Sequence, residues 1–344
     1  MPLTNLSFQK NINLAPYNTL GIPSRASRFI AISDATQLQE LIRSWEGTPP
    51  KNFILGGGSN VLFVNDFDGL IIHVDIRGRE LIDETDTQVL ISLGAGENWH
   101  ESVMYCVGKG WGGIENLSLI PGTVGAAPIQ NIGAYGVELE QVFERLEAVN
   151  LKTGELKTFT KEECRFSYRD SIFKNELKGE VLVTKVVLRL SKQPTLNTSY
   201  GAIQEKLEEH GIARPTIKDI SDIVIDIRNS KLPDPADLGN AGSFFKNPVV
   251  SRQKFEQLKN NHPEAPGYEL NEIEVKVPAG WLIEKTGWKG KVLGNAGTYK
   301  QQALVIVNHG GATGEEILHL AGKIKESVKD TFGIDLVPEV NIVS

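Results

Sequence analysis

The sequence predicts an α+β protein of two or three domains. Apolar residues recur at helical spacing in some segments and as strand-like runs in others, and a polar, turn-rich tract interrupts the chain near residue 200. Two glycine-rich stretches fit neither pattern. At 344 residues, with 40% apolar and 23% charged side chains, the chain is long enough to bury a full core in each domain.

Taken in order, Asp34 is placed to cap a helix in which Leu38, Leu41, Ile42 and Trp45 share a face, followed by strands at Phe53 to Leu55 and Leu70 to Val74. Val89 to Leu93 reads as a strand, Glu97 to Val107 as a helix carrying Trp99, Val103 and Cys106 on one face, and Val181 to Leu190 as a long strand with Lys185 and Arg189 on its wetter side. The tract Ser191-Lys-Gln-Pro-Thr-Leu-Asn-Thr-Ser-Tyr200 then predicts a domain boundary. Ile203 and Leu207 support a short helix closed at Gly211. Thr216 and Asp219 form a capping pair for a helix with Ile217, Ile220, Val224 and Ile227 inward and Arg228 and Lys231 at its end. A helix at Ala279 to Thr286 stopped by Gly287, a strand at Ala303 to Val307, a helix with Ile317, Leu320, Ile324 and Val328 inward, and a strand ending at Val343 complete the chain.

The glycine stretches are Ile54-Leu-Gly-Gly-Gly-Ser-Asn-Val-Leu-Phe63 and Leu119-Ile-Pro-Gly-Thr-Val-Gly-Ala-Ala-Pro-Ile-Gln-Asn-Ile-Gly-Ala-Tyr-Gly136. Glycine leaves no side chain to pack, so such runs let backbone amides lie against a ligand or another chain segment. Ordinary surface turns are the alternative for either stretch alone. Together they suggest one phosphate-bearing dinucleotide held by successive amides. No Lys-Ser or Lys-Thr follows Gly58, which excludes a P-loop, and Gly94-Ala-Gly-Glu-Asn-Trp99 lacks the third glycine of a Rossmann fingerprint.

A formal charge of −7 without any Lys/Arg-rich run argues against nucleic acid as a partner. Cys106 and Cys164 have no metal-ligand or disulfide-framework spacing, and the six histidines do not cluster, so no metal site is predicted. Met1-Pro-Leu-Thr-Asn-Leu-Ser7 has neither a basic nor an apolar leader region and no run reaches membrane-spanning length, so a cytoplasmic protein without a membrane partner is expected. The sequons at Asn5, Asn116 and Asn197 are then chance matches.

Three further constellations carry chemistry. In Phe166-Ser-Tyr-Arg-Asp-Ser171 a planar cation sits between an aromatic ring and a carboxylate, able to hold a substrate carboxylate rigidly; a surface ion pair is the alternative. Asn240-Ala-Gly-Ser-Phe-Phe-Lys-Asn-Pro248 places Ser243 before two aromatics, as a hydroxyl beside a ligand or as a turn serine. Glu339, in Pro338-Glu-Val-Asn341, stands in an otherwise apolar terminal strand, where it must meet water, a charge or an active site.

These segments resemble, in order and nearly end to end, the flavoenzyme family of UDP-N-acetylenolpyruvoylglucosamine reductases. The resemblance rests on Asn18-Thr-Leu-Gly-Ile22, Leu55-Gly-Gly-Gly-Ser-Asn60, Glu115 through Tyr135, Tyr168-Arg-Asp-Ser171, Gly242-Ser-Phe-Phe-Lys-Asn-Pro248, Ala279-Gly-Trp-Leu-Ile283 and Pro338-Glu339. It implies a two-subdomain FAD-binding region of the vanillyl-alcohol-oxidase type, residues 1–68 and 69–200, and a substrate-binding domain over 201–344. FAD would be held non-covalently, since no His or Cys stands in the loops, by Gly56, Gly57, Gly58, Ser59 and Asn60 and by Ile120, Pro121, Gly122, Thr123, Gly125, Ala126, Gly133 and Ala134. NADPH is the implied hydride donor and the enolpyruvyl sugar nucleotide the implied substrate, acting in turn at one site.

The resemblance further implies Arg169, Ser243 and Glu339 as catalytic residues. Tyr135, Tyr168, Tyr200, Arg228, Lys231, Asn247 and Gln302 are implied substrate contacts. Thr198-Ser-Tyr-Gly-Ala202 and the segment around Ser251 to Val275 match the branch whose tyrosine loop closes over the nucleotide. Asn341 departs from the basic residue that many members carry, which leaves ionic support for Glu339 open. A monomer is expected. Another flavin oxidoreductase of the same fold, or a non-catalytic nucleotide-sugar binding protein, are the other readings.

Overall fold

The computed structural model describes residues 6–45 and 49–344; the readings of Met1 to Asn5, including the Asn5 sequon, lie outside the described residues. The described residues form two compact units, one within Met1–Ile12, Ala26–Gly57 and Asp68–Ser230 and the other Asn13–Arg25 with Gly58–Phe67 and Lys231–Ser344.

The first unit contains two large sheets and, among the described residues, the small hairpin Gly133–Ala134 with Val137–Glu138. One has four strands, in the order Gln9–Asn13, Arg25–Ile32, Phe67–Val74 and Asn52–Leu55, the last pair parallel. Helix α1, Ala35–Arg43, begins where the Asp34 carboxylate accepts from Gln37 N–H at 2.8 Å and buries Leu38, Leu41 and Ile42; Trp45 falls beyond its end. The other sheet is antiparallel and five-stranded, in the order Leu156–Thr160, Phe143–Asn150, Val181–Ser191, Gln88–Gly94 and Arg79–Glu84. Its central strand, Val181–Ser191, is buried except at Lys185, Arg189 and the half-buried Ser191, as the sequence predicts. Arg189 spends its exposure on a two-pronged pair with Glu144, at 2.9 and 2.6 Å.

Helix α2, Trp99–Gly108, starts two residues later than the apolar pattern suggests because Asn98 Oδ1 takes the Glu101 N–H, at 3.0 Å. Glu97 is left outside the helix, where it accepts from Gly78 N–H at 2.8 Å and pairs with Arg79 at 2.7 Å. After the one-turn helix α3, Lys161–Cys164, and the long strand come α4, Gly201–Glu209, and α5, Ile217–Lys231, opened by the Thr216–Asp219 pair. The helices α4 and α5 have a small core of their own, Ile203, Leu207, Ile220, Ile223, Val224 and Ile227, against which Tyr135 and Leu196 pack. Residues 201–230 therefore lie in the first unit, whereas the sequence places a boundary at Tyr200.

The second unit is built on a four-stranded sheet, Gly239–Ser243, Val305–Asn308, Ala296–Thr298 and Val292–Leu293, with helices α6, Arg252–Asn261, α7, Ala279–Lys285, and α8, Gly314–Phe332. A reciprocal Thr313–Glu316 capping box opens α8, and Ile317, Leu320, Ile324 and Val328 line its buried face. The last strand, Asn341–Val343, pairs in parallel with Val61–Phe63, which draws residues 58–67 out of the sequence-expected first subdomain and into this unit. Glu339 precedes that strand rather than lying within it.

Candidate active site

In the first unit the long glycine stretch leaves the core at Leu119, whose φ of 56° is unusual for a branched side chain. Both its peptide groups are pinned: Leu119 N–H donates to His100 Nδ1 at 2.9 Å, and its carbonyl accepts from Arg228 Nε at 3.2 Å. His100 must therefore present an unprotonated Nδ1, and burial, reinforced by the Arg228 charge, holds its pKa below the ordinary 6.5. Burial likewise lowers the Arg228 guanidinium, opposed by its hydrogen bond with the Tyr135 phenol, and burial raises that phenol's pKa.

Two short 3-10 turns, Val124–Ala126 and Pro128–Gln130, carry the stretch forward. Val124 and Gly125 N–H are tied to Glu97 and Ala95 carbonyls at 2.9 and 2.8 Å. The two glycine stretches meet here: a Cβ on Gly56 would lie 2.6 Å from Thr123 Oγ1, and one on Gly57 would lie 3.0 Å from Gly122 Cα. The amides of Gly57, Gly122 and Thr123 donate to no protein acceptor among the described residues, and Gly57 is exposed. Gly58 has φ of 64° and no room for a side chain, since a Cβ would stand 2.0 Å from Tyr17 O.

Arg169 closes the far end of the stretch. Its own φ is 55°, in a tight turn where Ser167 and Asp170 exchange backbone hydrogen bonds at 3.2 and 3.1 Å. Its guanidinium donates through Nη2 to Gly133 O and through Nη1 to Asn131 O at 3.4 Å, with Glu138 Oε1 3.8 Å away and the Tyr168 ring 5.3 Å from its centre. The cation is thus placed against two backbone carbonyls, with Glu138 and the Tyr168 ring beside it. Asn131, fully buried at φ 42°, is a residue the sequence reading passes over. Its Nδ2 donates to Glu138 Oε2 at 2.9 Å and Ser167 O at 3.2 Å, and its Oδ1 accepts from Glu140 N–H at 3.0 Å. Asn is among the few side chains that tolerate this backbone region, which is the only signal the sequence offers for it. Tyr135, at φ 51°, meets the Tyr200 ring edge-on at 5.1 Å.

In the second unit Ser243 ends the strand Gly239–Ser243, exposed, where a bulge between Asn240 and Ser243 and the left-handed Gly242 turn it out of the ladder. The next two residues, Phe244 and Phe245, are both buried and anchor the chain as it leaves the strand. Asn240 is held by Thr19, whose Oγ1 donates to Asn240 O at 2.6 Å and whose carbonyl accepts from Asn240 N–H at 2.9 Å. Glu339 N–H donates to Phe244 O at 2.8 Å, so the Ser243 and Glu339 backbones run side by side. Asn60 Nδ2 donates to Glu339 O at 3.3 Å, and Asn341 donates to Asn60 O from both N–H, at 3.1 Å, and Nδ2, at 3.0 Å. Asn247 and Gln302 converge on the first turn of α7: Asn247 Oδ1 accepts from Ala279 N–H at 2.9 Å, and a Cβ on Gly280 would lie 2.9 Å from Gln302 Oε1. Lys231 stands exposed at the end of α5. Among the described residues no group of His, Cys, Asp and Glu could hold a metal ion, and no helix is long and apolar enough to cross a membrane.

Residues 234–343 match the family described as UDP-N-acetylenolpyruvoylglucosamine reductase, C-terminal domain, and residues 26–160 match the family described as FAD binding domain. A UDP-N-acetylenolpyruvoylglucosamine reductase of Flavobacterium johnsoniae is 50% identical over 339 residues, 98% of this chain and 100% of the relative. The chain belongs to the UDP-N-acetylenolpyruvoylglucosamine reductase family. Members with known structure share the fold: the Thermus caldophilus UDP-N-acetylenolpyruvylglucosamine reductase aligns with a TM-score of 0.69 at 23% identity, over 99% of each chain. p-Cresol methylhydroxylase aligns with a TM-score of 0.50 at 12% identity, over 95% of this chain and 85% of that one. The expected α+β, FAD-binding fold class therefore holds. The donor set suits FAD: the amides of Gly57, Gly122 and Thr123 donate to no protein acceptor among the described residues, and the two glycine stretches approach there too closely for a side chain on Gly56 or Gly57.

Proposed function

We propose that the chain reduces the enolpyruvyl ether of UDP-N-acetylglucosamine to the lactyl ether, giving UDP-N-acetylmuramate for peptidoglycan precursor synthesis, with NADPH as reductant. The 50% identity to a reductase of that name along almost the whole of both chains carries this reading. When bound, FAD supplies a hydride at N5 for the substrate's methylene carbon. We place the protein in the cytoplasm, as a monomer.

The remaining chemistry falls to side chains of this protein. Addition at the methylene carbon drives negative charge onto the neighbouring carbon and its carboxylate, and Arg169 is the fixed cation proposed to meet it. A guanidinium already locked on the Gly133 and Asn131 carbonyls has little reorganisation left when the charge forms. Glu339 is proposed to polarise the same group, its position set by Asn60 and Phe244. Ser243 is proposed to donate the proton that completes the new C–H bond. A hydroxyl is a weak acid, so it serves only against a strongly basic carbanion reached over a short path. Tyr135, Tyr168, Tyr200, Arg228, Lys231, Asn247 and Gln302 are the proposed substrate contacts, with Arg228 and Lys231 suited to the diphosphate.

An anaerobic absorbance titration tests the function. Bleaching of the FAD-loaded protein by NADPH, followed by reoxidation on adding UDP-N-acetylenolpyruvoylglucosamine, is the expected sequence. Reoxidation by oxygen alone would reassign the chain to another flavin oxidoreductase chemistry.

A further inference from the structure

Two asparagines outside the reacting set tie residues 191–200 to the glycine stretch. Asn116 is 1% exposed, and its Nδ2 donates twice, to Tyr135 O at 3.1 Å and Asn197 O at 2.9 Å. Its Oδ1 is buried and has no hydrogen-bond partner. Exchanging oxygen and nitrogen would aim the oxygen at two carbonyls, so the surroundings fix the orientation. A buried acceptor left unmet is destabilising, so the two donated bonds are what this side chain contributes.

Asn197 continues the connection. Its Nδ2 donates to Gly136 O at 2.9 Å, while its Oδ1 accepts from Ser199 N–H at 3.1 Å and Ser199 Oγ at 2.7 Å. Gly136, at φ 80°, leaves room for this approach: a Cβ there would lie 3.1 Å from Asn197 Nδ2. One residue after Ser199, the Tyr200 ring stands edge-on to Tyr135, with 41% of the residue exposed. The segment thereby grips the Gly136 carbonyl and the Tyr135 ring, while Asn116 holds the Tyr135 carbonyl and ties the segment to it through Asn197 O. Tyr135 itself holds a backbone conformation that persists only where neighbours over-determine it.

We propose that Asn116 and Asn197 are positioning residues for sugar-nucleotide binding: they form a latch that sets Tyr200 against Tyr135, and so determine affinity for the sugar nucleotide rather than the rate of flavin reduction. The proposal rests on the reading of Tyr135 and Tyr200 as substrate contacts.

The test uses the full-length, FAD-loaded protein carrying Asn197→Ala or, as a near-isosteric second variant that also removes the unmet acceptor, Asn116→Leu. Amide hydrogen exchange over residues 191–201 should speed up by about tenfold, the population shift that one or two ordinary hydrogen bonds produce. KM for UDP-N-acetylenolpyruvoylglucosamine should rise by about the same factor with kcat little changed, and bleaching by NADPH should keep its rate. Adding Asn197→Ala to Tyr200→Ala should raise KM no further than Tyr200→Ala does alone. Unchanged exchange in both variants, or additive effects in the double variant, overturns the latch. A KM insensitive to Tyr200→Ala overturns the link to binding, and exchange then shows separately whether the segment was latched.

Discussion

Replacing Gly133 by Ala would test whether the placement of Arg169 governs the reaction. The backbone at Gly133 is not left-handed, so alanine meets no dihedral penalty there. The added Cβ would instead lie 2.8 Å from Arg169 Nη1, 2.8 Å from Glu138 Cγ and 3.0 Å from Val137 O, where ordinary contact begins at 3.4 Å. The guanidinium must then retreat by about 0.6 Å and weaken its bond to Gly133 O, since the carbonyl belongs to the substituted residue. A misplacement of about 1 Å can cost roughly 10²-fold in rate, so this shift should slow substrate reduction by roughly 10- to 10²-fold, with about 1–3 kcal/mol of stability lost to overpacking. The assay is anaerobic rapid mixing of the FAD-loaded variant, which separates bleaching by NADPH from reoxidation by the enolpyruvyl sugar nucleotide. Reoxidation should slow and bleaching should not. Equal slowing of both steps would mean that the substitution acts on the flavin, and wild-type reoxidation would show that the Arg169 position is not limiting; either result refutes the reasoning.

Ser243→Ala should slow reoxidation by about 10²- to 10⁴-fold and spare bleaching, while Ser243→Cys should keep part of the rate because a thiol is the stronger acid; full-speed reoxidation in the alanine variant would remove Ser243 from the proton path. His100 is held neutral, with a folded pKa below 6.5, so the unfolded chain binds more protons in the window under 6.5. Its contribution to stability should be complete above pH 6.5, shrink as pH falls toward the depressed folded value, and be gone below it. His100→Asn, which keeps an acceptor near Nδ1 but does not titrate, should flatten that loss in urea melts compared at pH 5.5 and 7.5, and an unchanged pH dependence would count against it. Gly58→Ala combines a left-handed backbone with a Cβ 2.0 Å from Tyr17 O, and should cost about 3 kcal/mol or more, read as lost yield and a lower Tm.

Elements are legible in the sequence where one local interaction dominates. The helices α1, α5 and α8 show as apolar stripes behind capping residues, because burial and capping act within a few residues of each other. The strand Phe143–Asn150 does not show. Its half-buried Glu144, Arg145 and Glu147 break any regular apolar alternation, and it is held as a strand by the pairing that Leu156–Thr160 and Val181–Ser191 supply on either side. The boundary expected at Tyr200 rests on local polarity, and the same polar residues, Asn197 and Ser199, turn out to be hydrogen-bonded to the glycine stretch or to each other. The pairing of Asn341–Val343 with Val61–Phe63 joins chain segments that no local pattern relates. The proposed site residues come from the collinear motifs, whereas the bonds made by His100, Asn116, Asn131 and Thr19 are not legible in the sequence, since each reaches a partner distant in sequence.

The glycines of the long stretch serve two ends that their count alone cannot separate. The Gly122 amide donates to no protein acceptor among the described residues, whereas Gly125 lies where a Cβ would stand 2.5 Å from Ala95 Cβ, and Gly133 where it would meet Arg169. At those two the missing side chain makes room for protein. The strain in the region is carried by other residues: of the six non-glycine residues with positive φ among the described residues, Leu119, Asn131 and Tyr135 lie in the stretch and Arg169 lies on it. Each such conformation costs of order 1–3 kcal/mol unless its surroundings hold it. Here the surroundings are named hydrogen bonds to Leu119 N–H and C=O, to the Asn131 amide, to Tyr135 O and from Arg169 to Gly133 O. Strained residues and their clamps form one connected set, so the stretch fixes Arg169, the proposed catalytic cation, with the same backbone whose amides are proposed to meet the flavin. A substitution that relaxes it should disturb the Arg169 position before it disturbs the fold.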